Sequence, residues 1–330
     1  MSILVSGGAG YIGSHMCHEL ADLGRETVVI DNLTTGFRWA LPSTARLIVG
    51  DIGDQDLVRT AIDRYGVTAV IHFAGSIVVP ESVADPLGYY FNNTVKSRAL
   101  IEAAVRSGVP HFIFSSTAAV YGMAKEMPVR ETTQLDPMSP YGSSKLMTEI
   151  MLRDTAIAHP AFNYVALRYF NVAGADPKGR TGQSTEGATH LIKVACETAL
   201  GKRPNMEVFG TDYDTPDGTC VRDYIHVTDL ARAHVAALRY LEAGGRSEVF
   251  NCGYGHGYSV LEVLDAVKRV AGGPLDVRMG PRRPGDPAAI VAAPDKILAT
   301  LAWRPQLADL DGIVANALAW EDALRRRNAA

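Results

Sequence analysis

Six short runs rich in β-branched and apolar residues, at 3–6, 27–30, 46–49, 69–73, 111–115 and 164–168, punctuate the first half of the chain. They are continuous rather than alternating, the pattern of strands covered on both faces. Helix-length segments at 11–23, 54–65, 86–107 and 141–159 separate them, which predicts β-α-β units feeding a parallel sheet. After Asn171 the pattern loosens into Gly, Pro and polar loops, with helices predicted near 188–200, 228–242, 259–270 and 310–325. Short strands are predicted at 207–209, 249–251 and 277–279. The expectation is an α/β fold, with a parallel doubly wound sheet over residues 1–170 and a smaller mixed α/β domain over most of 171–330. Some later segments are expected to return to the first domain.

The segment Gly7-Gly8-Ala9-Gly10-Tyr11-Ile12-Gly13 leaves the first strand and opens the first helix. In that setting glycines form a phosphate site. Gly7 permits the tight turn, Gly10 lets the main chain approach a pyrophosphate, and Gly13 lets helix and sheet pack closely. The second strand ends at Asp31, where a carboxylate can bond a ribose 2′-hydroxyl and would repel a 2′-phosphate. The first domain therefore reads as a Rossmann domain selecting NAD over NADP. Asp51-Ile52 and Phe73-Ala74-Gly75 lie at further strand ends facing the same crevice, and Asp51 could bond the adenine amino group. His72, inside an apolar run, reads as a satisfied core histidine.

Tyr141 and Lys145 stand at i and i+4, on one face of a helix whose first turn follows Pro140. A phenol with pKa ~10 is a poor base at neutral pH, and a neighbouring ammonium with a helix N-terminus is expected to favour its phenolate. Ser115, Ser116 and Thr117 close the fifth strand beside the nicotinamide end of the crevice, and Thr117 could bridge Tyr141 and a reacting hydroxyl.

Composition narrows the partners. Apolar residues make up 47% and charged residues 21% of 330, with a formal charge of -4 and no basic cluster to meet nucleic acid or an anionic membrane. The run Arg325–Arg327 reads as the charged end of a last helix. No apolar stretch reaches membrane-span length, and no secretory leader is expected ahead of the first strand. Cys17, Cys196, Cys220 and Cys252 are widely spaced, which fits reduced thiols in the cytoplasm and no metal centre. His15 and His18 lack a third ligand and are expected to pack as ordinary surface or cofactor-side residues.

The segments GGAGYIGSH, DNL, GDI, VIHFAG, SPYGSSKLMTE, LRYFN, VRDYIHV and PRRPGD together resemble the extended short-chain dehydrogenase/reductase family. Within it the likeness is to UDP-sugar 4-epimerases, over nearly the whole chain. The resemblance implies a UDP-glucose/UDP-galactose interconversion through transient oxidation at C4, with bound NAD and no net redox change. It implies Tyr141, Lys145 and Thr117 as catalytic residues. It adds Tyr11, Ile12, Asn32, Asn92, Ser115 and Tyr169 to the cofactor contacts. Asn171, His190, Leu191, Phe209, Arg222, Arg283, Asp286 and Ile290 are implied to meet the UDP-sugar together with Thr117 and Tyr141. A homodimer formed through the two long helices of the first domain is also implied.

Four positions depart from the family pattern. Ile77 stands where a lysine is usual, Val172 replaces a turn proline, His190 replaces an amide, and Ile290 sits where side-chain size varies beside the hexose C2 substituent. Ile290 leaves N-acetylated sugars open, and pentose and uronate substrates stay open because their epimerases share the same machinery. A dehydratase or decarboxylase needs acidic groups where Ala118 and Ala119 stand. A non-catalytic NAD sensor would not need the Tyr141–Lys145 pair.

Overall fold

The computed structural model describes residues 2–283 and 285–328. The first half supplies β1 (Ser2–Ser6), β2 (Thr27–Asp31), β3 (Arg46–Val49), β4 (Val67–His72), β5 (His111–Thr117) and β6 (Asn163–Tyr169). The later strands are β7 (Asn171–Ala173), β8 (Met206–Phe209), β9 (Val221–His226), β10 (Glu248–Cys252), β11 (Gly257–Ser259), β12 (Val277–Gly280) and β13 (Ala289–Ile290). The helices are α1 (Tyr11–Asp22), α2 (Gln55–Tyr65), α3 (Val79–Ala84), α4 (Pro86–Tyr89), α5 (Lys96–Arg106), α6 (Pro140–Ala158), α7 (Leu191–Ala199), α8 (Val227–Glu242), α9 (Val260–Ala271), α10 (Asp295–Thr300) and α11 (Leu310–Asn328). The side chains of Arg325, Arg326 and Arg327 lie outside the described residues.

The large sheet runs β10-β6-β5-β4-β1-β2-β3, and every pairing in it is parallel. Its β1, β2, β4, β5 and β6 are buried along almost their whole length because two apolar layers cover it. One layer includes Met16 and Leu20 of α1 with Leu230, Val235 and Leu238 of α8. The other includes Val58 and Ile62 of α2, Leu100 and Ile101 of α5, and Leu152 of α6. Strand β3 departs from the expected burial on both faces: it is the last strand on its side, and Arg46 and Val49 are exposed. A third cluster joins α7, α9 and α11 to β8 and β9, and forms the core of the later part of the chain.

Several short elements carried no sequence signal. In β9, Val-Arg-Asp-Tyr-Ile-His breaks any apolar run, yet Asp223 is fully buried. The backbone amides of Tyr254, Gly255 and Ala292 donate to its carboxylate, replacing the water it gives up. The segment expected as one helix over 86–107 is interrupted at Tyr90–Val95 by a π-helical turn. That turn places Tyr89, Asn93 and Ser97 on one buried face. Among the described residues no helix is long and apolar enough to cross a membrane.

Candidate active site

The strand order reverses between β1 and β4, opening a crevice at their carboxyl ends. Gly7 has φ +70°, and an added Cβ would stand 2.6 Å from the Ala74 nitrogen. At Gly13 a Cβ would stand 2.2 Å from the Gly7 carbonyl oxygen. Gly10 has only that same oxygen within reach, at 3.3 Å. The N-cap of α1 has no side-chain cap, and its first turn carries no acidic residue. The amides of Tyr11, Ile12 and Gly13 therefore lie at a positive helix end that suits a diphosphate. That open cradle fits the dinucleotide expected from the sequence.

Asp31 is held at the mouth of the cradle by the amides of Ala9 (2.9 Å) and Leu33 (2.8 Å), with further lone pairs left for a ribose. Asn32 turns its side chain back to Thr34. Asp51 accepts from Lys96 at 2.5 Å and from the Gly53 amide, while Ile52 is buried behind it. The pairing with Lys96 holds the Asp51 carboxyl below its usual range, against the cost of its burial. Phe73 packs on His234, and the Ala74 amide donates to the Ser6 carbonyl at 3.1 Å. His72 is a satisfied core residue, bonded to Ser6 and Ser97. His15 and His18 are buried rather than on the surface, bonded to the carbonyls of Tyr11 and Ala40.

Asn93 holds Gly75 and Ser76 in place. Its side chain accepts from the Ser76 amide at 2.7 Å and donates to the Ser76 carbonyl and the Ser144 hydroxyl. Asn92, by contrast, donates to the Ser76 hydroxyl. Sequence reasoning missed Asn93. The available signal was its spacing of four from Tyr89 and Ser97, which puts three polar side chains on one helix face.

Tyr141 and Lys145 project from the first turns of α6, whose N-cap Ser139 accepts from the Gly142 amide. The Thr117 side chain lies close enough to the Tyr141 phenol to act on its pKa. Lys145 Nζ donates to the Ser115 carbonyl at 3.0 Å and lies 5.0 Å from the centre of the Phe114 ring. The Ser115 hydroxyl is bonded to the Tyr169 phenol. Burial lowers the Lys145 ammonium to about 8. The Tyr141 phenol shifts opposite to the sequence expectation: burial raises its pKa, and the neighbouring Thr117 offsets only part of this. The reason is geometric. Desolvation penalises the phenolate, and the Lys145 ammonium is directed at a carbonyl.

A second set of residues lies beyond the crevice. Arg283 stacks on Phe209, with 3.6 Å from its guanidinium carbon to the ring centre. Arg222 sits 3.7 Å from Asp286. Ile290 pairs with Arg222 between β13 and β9, and belongs to an apolar cluster with Ala118, Tyr121 and Phe170. Farther along β9, Tyr224 pairs with Asn171, and both line a cavity with Tyr11, His190, Leu191 and Trp320. The Tyr11 hydroxyl donates to the Gly174 carbonyl at 2.7 Å, which ties the glycine-loop helix to this cavity. His190 precedes the first turn of α7 without a side-chain capping bond and lies beside Gln183, and burial together with Lys193 lowers its pKa. Gln183, Tyr224 and Trp320 were not foreseen, because a loop, the unpredicted strand β9 and α11 bring them to the cavity.

Residues 3–253 match the NAD dependent epimerase/dehydratase family. The chain is 56% identical to the UDP-glucose 4-epimerase of Azospirillum brasilense, over 98% of this chain and 93% of that one. Among solved structures, a UDP-glucose 4-epimerase from Brucella ovis in complex with NAD has a TM-score of 0.93 and 44% identity, covering 96% of this chain and 97% of that one. One from Bifidobacterium longum in complex with NAD+ and UDP also has a TM-score of 0.93, at 39% identity and 98% coverage of both chains.

A Gly13→Ala substitution forces a methyl group against the Gly7 carbonyl. It should cost on the order of 1–3 kcal/mol and empty the cradle of cofactor. Denaturant unfolding together with the NAD content of purified protein measures both, and full cofactor content in the variant would contradict this account of the cradle.

Proposed function

The chain belongs to the NAD dependent epimerase/dehydratase family, and on that footing we propose that it interconverts UDP-glucose and UDP-galactose by oxidising and re-reducing C4 of the sugar. Residues 1–170 carry most of the cofactor contacts, and residues 171–330 most of the UDP contacts. The observation that carries the reading is the meeting of Tyr141 and the buried Lys145, which donates to the Ser115 carbonyl, with Thr117 at the crevice end of β5.

The chain's own groups divide the work. The cradle of Gly7, Gly10, Tyr11, Ile12 and Gly13 with Asp31 holds the dinucleotide, aided by Asn32, Asp51, Ile52, Phe73, Ala74, Gly75, Asn92, Ser115 and Tyr169. When bound, NAD supplies the acceptor for the C4 hydrogen with its electron pair, the donor that returns them, and a positively charged ring. Lys145 keeps a positive charge near the phenol and holds the cofactor ribose. Tyr141 takes the proton of the C4 hydroxyl, with Thr117 bonding that oxygen, and returns a proton once the keto sugar presents its other face. Arg222 and Arg283 match phosphate oxygens, with Asn171, His190 and Leu191 alongside, while Phe209 and Asp286 border the uridine. Ile290 fills space beside the sugar.

A dimer accompanies this reading. Val79, Val83, Leu87, Phe91 and Val95 are exposed at four-residue spacing, beside the exposed Met147 and Ile150 of α6. We propose that a second copy covers this stripe. Sedimentation velocity should give a dimer for the natural chain and a monomer for Leu87→Asp, whereas a natural chain that sediments as a monomer rejects the idea. The four cysteines are free and buried, which supports a cytoplasmic site that cell fractionation would check.

Purified protein given UDP-glucose should form UDP-galactose, resolved as C4 epimers by NMR. Tyr141→Phe should lower kcat by roughly 10²–10⁴-fold while UDP still binds. Absence of any C4 epimer from the natural chain would overturn the assignment, and so would undiminished turnover by the variant.

A further inference from the structure

Three consecutive residues at the end of β5 are held by three side chains of one face of α6. The Ser115 carbonyl accepts from Lys145, the Ser116 hydroxyl donates to Glu149 at 2.5 Å, and Thr117 lies beside Tyr141. Positions 141, 145 and 149 follow one another at single-turn spacing. The Ser116 side chain faces Glu149 of α6, and the β5/β6 register sets Arg168 directly beside it.

Arg168 closes a two-pronged pair with Glu149, Nε to Oε1 at 2.9 Å and Nη2 to Oε2 at 2.6 Å, with both side chains almost wholly buried. Its remaining prong reaches the Tyr121 hydroxyl at 3.0 Å, and Tyr121 donates to Asn251 of β10 at 2.6 Å. Thr117 therefore lies between two residues, Ser116 and Tyr121, that are tied to the same ion pair.

A buried ion pair adds little to stability relative to apolar residues of the same volume. What this one does is fix directions: a planar fork and a carboxylate admit one arrangement of β5, β6 and α6. We propose that Glu149 and Arg168 are positioning residues for the reaction, locking the end of β5 against α6 so that Thr117, Tyr141 and Lys145 share one geometry. The inference rests on Tyr141 acting at the sugar hydroxyl, as proposed above.

The test is the double substitution Glu149→Met/Arg168→Met in the NAD-loaded protein, with Ser116→Ala as a second variant that leaves the ion pair in place. The double variant should unfold at the same or a higher temperature and keep KM and the Kd for UDP. Its kcat should fall by about tenfold or more, and the near-ultraviolet band of reduced nicotinamide should appear more slowly on mixing with UDP-glucose. Ser116→Ala should show a smaller fall in kcat at the same KM, and it decides the matter if the double variant does not fold. Unchanged kcat in a folded variant overturns the positioning role and leaves the reaction assignment standing. A natural chain inert toward UDP-sugars sinks that assignment instead.

Discussion

The site depends on how the last three residues of β5 meet the first turns of α6. An ammonium buried in an apolar core is costly unless something replaces its water, and the Ser115 carbonyl at 3.0 Å with the face of Phe114 does so for Lys145. The compensation is incomplete, so the Lys145 pKa falls to about 8. That leaves a charged group near neutral pH in a place where charge acts at short range through little solvent. Burial alone pushes the phenol of Tyr141 toward its neutral form. The hydroxyl of Thr117 and the helix end work the other way, and the reaction needs those opposing effects balanced near neutrality.

The rest of the cleft is an arrangement of positive ends, which on the proposed reading meet the diphosphate of a dinucleotide and that of a nucleotide sugar. At one end stands the uncapped first turn of α1, where glycine is needed because a Cβ at 7 or 13 would strike backbone. At the other end stand Arg222 and Arg283, the first restrained by Asp286 and the second by the ring of Phe209. Strand β9 connects the two regions, running from Arg222 to Tyr224, and Tyr11 ties the cradle to Gly174 across the same cleft. The proposed ligand and reaction residues thus share one framework, in which the parallel sheet supplies strand ends and the later part of the chain supplies Arg222 and Arg283.

Much of this was legible in the residues. Long buried strands such as β1 and β5 announce themselves because sheets covered on both faces need continuous apolar runs. The glycine loop and the Tyr141–Lys145 spacing are local, so sequence distance translates directly into geometry. What could not be read depends on tertiary partners. Strand β9 holds Asp223, whose burial is tolerated because distant loop amides meet its carboxylate, and nothing in the residues announces the π-turn that interrupts the expected helix at Tyr90–Val95. The pKa of Tyr141 runs against the expectation because burial raises it, and helical spacing shows neither that burial nor that the Lys145 ammonium is turned to the Ser115 carbonyl. Even the split of the long helices into a buried side, with Leu100 and Ile101, and an exposed side, with Met147 and Ile150, needed the packed fold.

The central claim is that one sugar carbon loses and regains its own hydrogen within a single closed site. It is tested most directly by supplying UDP-glucose labelled with deuterium at C4 in ordinary water and following the label in the UDP-galactose formed. The account predicts that the deuterium stays at C4 through many turnovers. Product carrying solvent hydrogen at C4 would contradict it.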